Sequence, residues 1–490
     1  MRLGLIWACL LARLAFYAAM LPLWEGVDEW AHFAVVQSAA LRGELLPSRD
    51  RPIPRNIEAS LHLVPLPWEF RRLDAPSVTH DAYWRLPRQA RRDLTASLRA
   101  IPPSWAMQDG SGKFSNYEAQ QPPLYYWMAA PLVWLMRGRS LLTQVMAVRL
   151  FSALLASLVV PLVYRIGGEL FEEERMALGC AAVVAVMPGF AGAVARVGND
   201  SLAAVLYSAL LLAGLVLWRR TSLFAAGVLG ILLGLGLLTK AYFLTAVPAV
   251  LWLLWRRGYL RIALVPFLLA GWWYLRSVLT SGSLLTTGSM SGVRIPPAAV
   301  LRNVPSVPWF RAVDAALFSH IFCGGWSWLT VRSWIYHLFY VVFAVAAIGL
   351  WRWWRKPGIL WLLAVYLCFW AGELWHAALM FAARGVPASM GYYLYGVVAA
   401  EVPLGVAGLA TWVRRWAAPL LAAMFALLDL AAMHLLALPY YAGAIRHQPD
   451  GTLHFAHFSA LHLPAGPGLL ALWACYLLAT VTAVFLAAKT

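Results

Sequence analysis

Residues 3–33 read LGLIWACLLARLAFYAAMLPLWEGVDEWAHF, an apolar run that ends in Glu25, Asp28, Glu29 and His32. About 20 apolar residues suffice to cross a hydrocarbon core. Three carboxylates and a histidine therefore stand where a first membrane helix meets water. Acidic side chains are costly near a bilayer and mark a site where they occur. If 28–33 is helical, Asp28, Glu29 and His32 share a face by the i, i+3 and i, i+4 rule. The competing reading is a solvated cap, because acids favour the N-terminus of a following helix. Arg13 interrupts the apolar run and no small-residue cleavage site precedes Glu25, so the run reads as an uncleaved first span.

Working outward, the 490 residues are 62% hydrophobic and 12% charged. A soluble protein carries about 25% charge, so this is a polytopic membrane protein. The 26 tryptophans and 19 tyrosines suit interfacial belts. A net charge of +17 reports orientation in such a chain rather than a nucleic-acid partner. Cys9, Cys180, Cys323, Cys368 and Cys475 are scattered, with no CxxC pair. Neither a zinc site nor a disulfide framework follows.

Candidate spans are 3–23, 143–164, 176–195, 201–218, 222–238, 241–255, 262–279, 334–351, 359–380, 391–413, 416–438 and 467–487, about twelve in all. Residues 123–138 are the ambiguous segment, short and interrupted by Pro131. If it does not cross, one face collects Arg2, Arg165, Arg219, Arg220, Arg256, Arg257, Arg355, Arg414 and Arg415. The positive-inside rule prefers that arrangement. Both termini are then cytoplasmic, and 123–138 is an interfacial or re-entrant helix. The chain divides into a first span (1–24), a large extracytoplasmic loop (25–142), a membrane module (143–279), a second outer loop (280–333) and C-terminal spans (334–490). Within the first loop, Arg85, Arg88, Arg91, Arg92 and Arg99 alternate with Leu86, Leu94 and Leu98. That stretch suits either a solvated helix or one lying on anionic headgroups.

With sidedness set, the outer face gathers most of the reactive groups. These are Asp28, Glu29 and His32, then Glu118 and Gln121, then Asn199-Asp200, Lys240, His320, His376 and Arg384. Glu373 and Asp429 are the main acids inside spans, and Asp429 has no cation nearby in sequence. A carboxylate above the membrane can deprotonate an acceptor hydroxyl or amine. Lys and Arg can hold a phosphate leaving group. Such parts fit group transfer from a lipid-linked donor. Competing readings remain: Asn199 or Asp200 as a plain N-cap, Lys240 snorkelling to the interface, and His32 bonding within its loop. His447, His454, His457 and His462 read as loop residues, having no acid or cysteine pattern around them.

These motifs resemble the GT-C superfamily of membrane glycosyltransferases. The likeness rests on the Asp28-Glu29-x-x-His32-Phe33 pattern, on Tyr117-Glu118-Ala119-Gln120-Gln121-Pro122-Pro123-Leu124-Tyr125-Tyr126, on Asn199-Asp200 and on Leu238-Thr239-Lys240. It is strongest over about residues 1–245, among bacterial protein mannosyltransferase-like and aminoarabinose transferase-like members. The resemblance implies an all-α GT-C-like fold, a polyprenyl-phosphate sugar donor, and inverting transfer to a lipid, glycan or protein acceptor. It implies a catalytic Asp28, with Glu29 beside it. Donor and substrate contacts would come from His32, Glu118, Gln121, Lys240, His376 and Arg384. Some members use a divalent metal, Mg or Mn, at the position of Asp200, with Asn199 adjacent here. This chain offers one acid there rather than two. A further departure is Met390-Gly391-Tyr392-Tyr393-Leu394, which lacks an arginine before the tenth span. The implied location is a bacterial inner membrane.

Two other classes compete: a transporter or flippase of lipid-linked sugars, and a non-catalytic envelope-assembly protein. A carrier places charges near the midplane in matching repeats, and no internal repeat is evident in the sequence. An O-antigen polymerase or ligase would carry its dominant loop late, whereas the largest loop here is the first.

Overall fold

The computed structural model describes residues 1–72, 79–282, 295–448, 451–456 and 462–489. The expected His457 and part of the 280–333 loop lie outside the described residues. Among the described residues every named element is helical, and β contacts are limited to four isolated bridges. In chain order the α-helices begin with α1 (Arg2–Met20), α2 (Glu29–Leu41), α3 (Arg55–Leu61), α4 (His80–Tyr83), α5 (Arg88–Arg99) and α6 (Leu124–Leu135). There follow α7 (Leu141–Ser157), α8 (Val159–Leu170), α9 (Glu174–Val186), α10 (Pro188–Val194), α11 (Asp200–Arg219), α12 (Leu223–Leu237), α13 (Val247–Arg256) and α14 (Leu264–Ser281). The remainder are α15 (Pro297–Asn303), α16 (Trp309–Ile321), α17 (Ser333–Gly349), α18 (Pro357–Arg384), α19 (Val398–Val413), α20 (Ala417–Ala432), α21 (Leu438–Tyr441) and α22 (Pro467–Lys489).

Among the described residues, eight helices are long and apolar enough to cross a membrane, or nine if the bent pair α9–α10 is one span. This all-helical membrane architecture matches the fold class read from the sequence. The span tally differs for physical reasons. α12 and α13 are shorter than a full crossing, and Gly391–Tyr441 is one helical run that turns at Arg414, where φ is 51°. α9 and α10 meet at 61° because Pro188 has no N–H to continue the helix. At twelve residues, α6 reaches about 18 Å, well short of a hydrocarbon core.

α1 packs against α22, α7 and α9, while α11 packs against α12, α8, α7, α18 and α19. Apolar side chains of these helices fill one continuous core. The first outer loop folds back on this bundle. α2 is buried along nearly all its length and packs on α6. By contrast α5, the basic stretch, buries none of its residues.

Small residues set a close crossing of α17 and α19. A Cβ added to Gly408 on α19 would press on the Ala346 carbonyl of α17, and one on Gly349 would press on the Gly408 carbonyl. Backbones approach this closely in membranes only where side chains are absent. Gly408→Ala is expected to destabilise by about 1–3 kcal/mol through overpacking. Gly227→Ala on α12, which meets nothing within 4 Å, serves as control. Thermal unfolding in detergent should show a lower melting temperature for Gly408→Ala alone.

Candidate active site

The strap between α1 and α2 carries Asp28 and is bound from below by one side chain. Arg149 of α7 donates to both Glu29 carboxylate oxygens (2.7 and 2.6 Å) and to the Ala18, Leu21 and Pro22 carbonyls (2.9, 2.7 and 2.8 Å). Glu29 is fully buried and also accepts from the Val197 amide at 3.1 Å. Glu29, expected beside Asp28 as a second catalytic acid, thus has both oxygens committed to Arg149 and one of them also to the Val197 amide.

Asp28 precedes α2 in the left-handed region, φ 55°, where Asp is tolerated but uncommon. Its side chain makes no cap hydrogen bond, which removes the plain-cap reading. The carboxylate instead accepts from the Tyr117 hydroxyl at 2.5 Å.

The cations come from two other elements. Lys240 follows α12 and donates to Asp200. Arg196 follows α10 and reaches Asp200 Oδ2 at 3.1 Å, the Ala193 carbonyl at 2.9 Å, and the Val27 carbonyl next to Asp28. Tyrosines enclose both cations. The Arg196 guanidinium lies 5.3 Å from the Tyr392 ring centroid, and Lys240 Nζ lies 5.4 and 5.3 Å from those of Tyr242 and Tyr393. Arrangements of this kind favour a partly desolvated cation. Asn199 starts α11 without a side-chain cap bond, and its amide donates to the Thr239 carbonyl at 3.0 Å.

Several buried polar atoms here have no protein partner: Asn116 Oδ1, Glu118 Oε2, both side-chain ends of Gln120, and Asn199 Oδ1. Each such atom in a native site calls for an explanation, and a polar ligand supplies one. Gln121 is hydrogen-bonded to Glu118. His32 Nδ1 lies 2.8 Å from the Tyr126 hydroxyl and 3.8 Å from Glu118.

Burial governs the protonation states. It raises Asp28, against the opposing Tyr117 hydrogen bond and the Arg196 and Lys240 charges. Burial, reinforced by Asp28, pushes Glu118 up to about 8. His32 falls to about 3 through burial and the neighbouring Lys240 and Arg196. His32 and Glu118 therefore face each other as neutral groups near pH 7.

The more distant expected residues sit at the edge. His376 Nδ1 is 3.5 Å from the Ser389 hydroxyl, and its ring stands 6.0 Å from Tyr393, which borders Lys240. Arg384 closes α18 at an exposed position two turns further on. His320 pairs with Glu401 at 2.6 Å. His447, expected as a loop residue, is buried: it bonds Asp81 at 3.1 Å and stacks on Trp68 at 4.2 Å. Sequence reading passed over Arg149 and Arg196. Arg149 carried a signal, a lone arginine within an apolar run. Arg196 lies four residues before Asp200, helical pairing distance.

A divalent ion meets a poor ligand set here: Asp200 is shared by two cations, Lys240 and Arg196, and its neighbour Asn199 adds one neutral oxygen, Oδ1. Among the described residues no three His, Cys, Asp or Glu side chains gather as a metal-holding group.

A family model described as dolichyl-phosphate-mannose-protein mannosyltransferase matches residues 120–291. No curated protein matches the chain. ArnT from Cupriavidus metallidurans bound to undecaprenyl phosphate is similar in structure, with 13% identity, TM-score 0.46, and coverage of 99% of this chain and 77% of that one. The apo form of that ArnT gives 15% identity, TM-score 0.40, and 77% and 69% coverage. The Archaeoglobus fulgidus oligosaccharyltransferase complex with Zn and sulfate gives 15% identity, TM-score 0.43, and 89% and 52% coverage. The segment that the family model matches includes Gln120-Gln121-Pro122-Pro123, Asn199-Asp200 and Lys240.

Proposed function

We propose that this chain transfers a sugar from a polyprenyl phosphate to a lipid, glycan or protein acceptor on the extracytoplasmic face of a bacterial inner membrane, both termini being cytoplasmic. One observation carries the reading: Asp28, a carboxylate free of capping duty, shares one electrostatic cluster with Lys240, Arg196 and Asp200. The matched family is named for dolichyl-phosphate-mannose, a donor of the polyprenyl-phosphate class.

In this mechanism Asp28 takes the proton of the acceptor hydroxyl or amine. The freed oxygen or nitrogen attacks the anomeric carbon as its bond to the phosphate oxygen breaks, giving inversion. The bond's electron pair leaves with the lipid phosphate. Lys240, with Arg196 beside it, meets the charge developing on that phosphate. Protonated Glu118, with Gln121, Gln120 and neutral His32, presents donors and acceptors to sugar hydroxyls. His376 and Arg384 belong to the outer rim of the donor path. Glu29 is an orienting group for the strap.

Asp28→Asn is expected to lower turnover at least about a hundredfold, the usual scale of a general base, with an unchanged melting temperature. A direct assay with undecaprenyl-phosphate sugars checks this, and a near-normal rate overturns the assignment. Lys240→Met should raise the donor KM about tenfold or more, the value of one charge-assisted bond.

Glu118 gives a signed pH test. Its folded pKa of about 8 lies above the ordinary 4.5, so the folded state binds the proton more tightly. Its stabilisation is complete below pH 4.5 and is lost as pH rises through 8. Glu118→Gln, which mimics the protonated form, should flatten the fall of melting temperature across that window. The same variant should keep activity at pH 7 within about threefold, a loss smaller than one neutral hydrogen bond.

A further inference from the structure

Away from the site, a second buried charge pair lies among the spans. Arg13 of α1 and Asp429 of α20 are both fully buried, and Arg13 Nη2 is 2.5 Å from Asp429 Oδ2. Tyr17 and Tyr476 give their hydroxyls to the same carboxylate, Tyr476 at 2.8 Å. Charges inside spans are expensive and call for a reason. Arg13 also donates to the Ala185 carbonyl, and to the Val186 carbonyl at 3.2 Å.

Those two carbonyls end α9 at its 61° break from α10. A helix end leaves its last carbonyls without partners, and within a bilayer such groups must be satisfied by protein. The planar guanidinium fork meets both while facing a carboxylate. From the break, α10 runs only to Val194, and Arg196 follows. Arg196 holds the Ala193 carbonyl at the end of α10, the Val27 carbonyl on the strap, and Asp200. A Cβ on Gly26 would already touch the Arg196 side chain at 2.9 Å. A shift of α10 therefore moves Arg196 and the Asp28 strap together. Tyr17 itself lines the cavity that Gly189, Gly192, Arg196 and Val27 also border.

We infer that Arg13 and Asp429 form a positioning clamp: the pair fixes the α9–α10 break and so sets where Arg196 meets the Asp28 strap. For catalysis this rests on the proposed role of that strap. Its structural part does not. An ion pair retained only for stability can be replaced by well-packed apolar side chains without loss. A clamp cannot be, because apolar side chains leave the Ala185 and Val186 carbonyls unmet.

The test uses the full chain in lipid nanodiscs, with undecaprenyl phosphate as the probe. The variants are Arg13→Lys and the double variant Arg13→Met/Asp429→Leu. Hydrogen exchange should quicken over 185–197 and the 21–28 strap in the double variant, and return part-way in Arg13→Lys, which still pairs with Asp429. Probe affinity should drop about tenfold in the double variant, the scale at which a coupled element changes a site. Unchanged exchange over 185–197 overturns the clamp. If the double variant fails to fold, the exchange pattern of Arg13→Lys decides alone: quickening confined to these two segments supports the clamp, and its absence overturns it. If the wild-type chain does not bind the probe, the polyprenyl-phosphate reading fails, while the exchange result still judges the clamp.

Discussion

Arg149 holds the geometry on which the site depends. All five of its N–H donors are used, two on Glu29 and three on backbone carbonyls where α1 ends. A buried guanidinium is tolerable only when paired and fully bonded. Satisfying it forces the chain after Met20 to curl around one point, so that Ala18, Leu21, Pro22 and Glu29 all face it. The strap that results has Asp28 at a positive φ, its carboxylate turned from the α2 terminus toward Tyr117. Strain of this kind persists where surrounding bonds over-determine it. Removing Arg149 would release the strap and leave Glu29 as an unpaired buried charge.

The second constraint is charge balance. Near neutral pH, Lys240 and Arg196 contribute two positive charges and Asp200 one negative, with Glu118 and His32 neutral. An ionised Asp28 then closes the balance at zero. In the proposed reaction a lipid phosphate would meet cations already oriented by tyrosine rings and backbone, so that little reorganisation is needed when charge shifts to the leaving group. Raising Asp28 by burial also brings its basicity closer to that of an acceptor in need of deprotonation.

Much of this was legible beforehand, and the remainder was not, for physical reasons. Composition and arginine placement gave the membrane class, and the twelve-residue length of α6 agrees with a helix that does not cross. Asp28, Glu118, Gln121, Asp200 and Lys240 were all legible as polar residues near helix ends. Their partnerships were hidden. Arg149 meets Glu29 across 120 residues, Lys240 meets Asp200 across 40, and Arg13 meets Asp429 across 416. Periodicity locates a span but not which neighbour its one polar side chain faces. Glu29 reads as an orienting or catalytic neighbour of Asp28, and its commitment to Arg149 across 120 residues leaves no trace in composition. His447 is a loop residue, as the sequence indicates, but its burial was hidden because its partner Asp81 belongs to another outer segment, far off in sequence.

The deep pair bears on the rival reading. A carrier places ionisable groups near the midplane because they exchange partners as the substrate passes. Arg13 and Asp429 are at the right kind of depth but are built for the opposite behaviour. Two tyrosine hydroxyls and two backbone carbonyls surround them, from three helices, α1, α9 and α22. Opening that cluster would strand two charges and the end of α9 in low dielectric, where each unmet group costs several kcal/mol. A site meant to cycle would not be closed on all sides by its own backbone. Five unpartnered polar atoms stand on Asn116, Glu118, Gln120 and Asn199, against one, Arg13 Nε, in the deep cluster. The buried pair is therefore built to hold its neighbours still rather than to take and release a ligand.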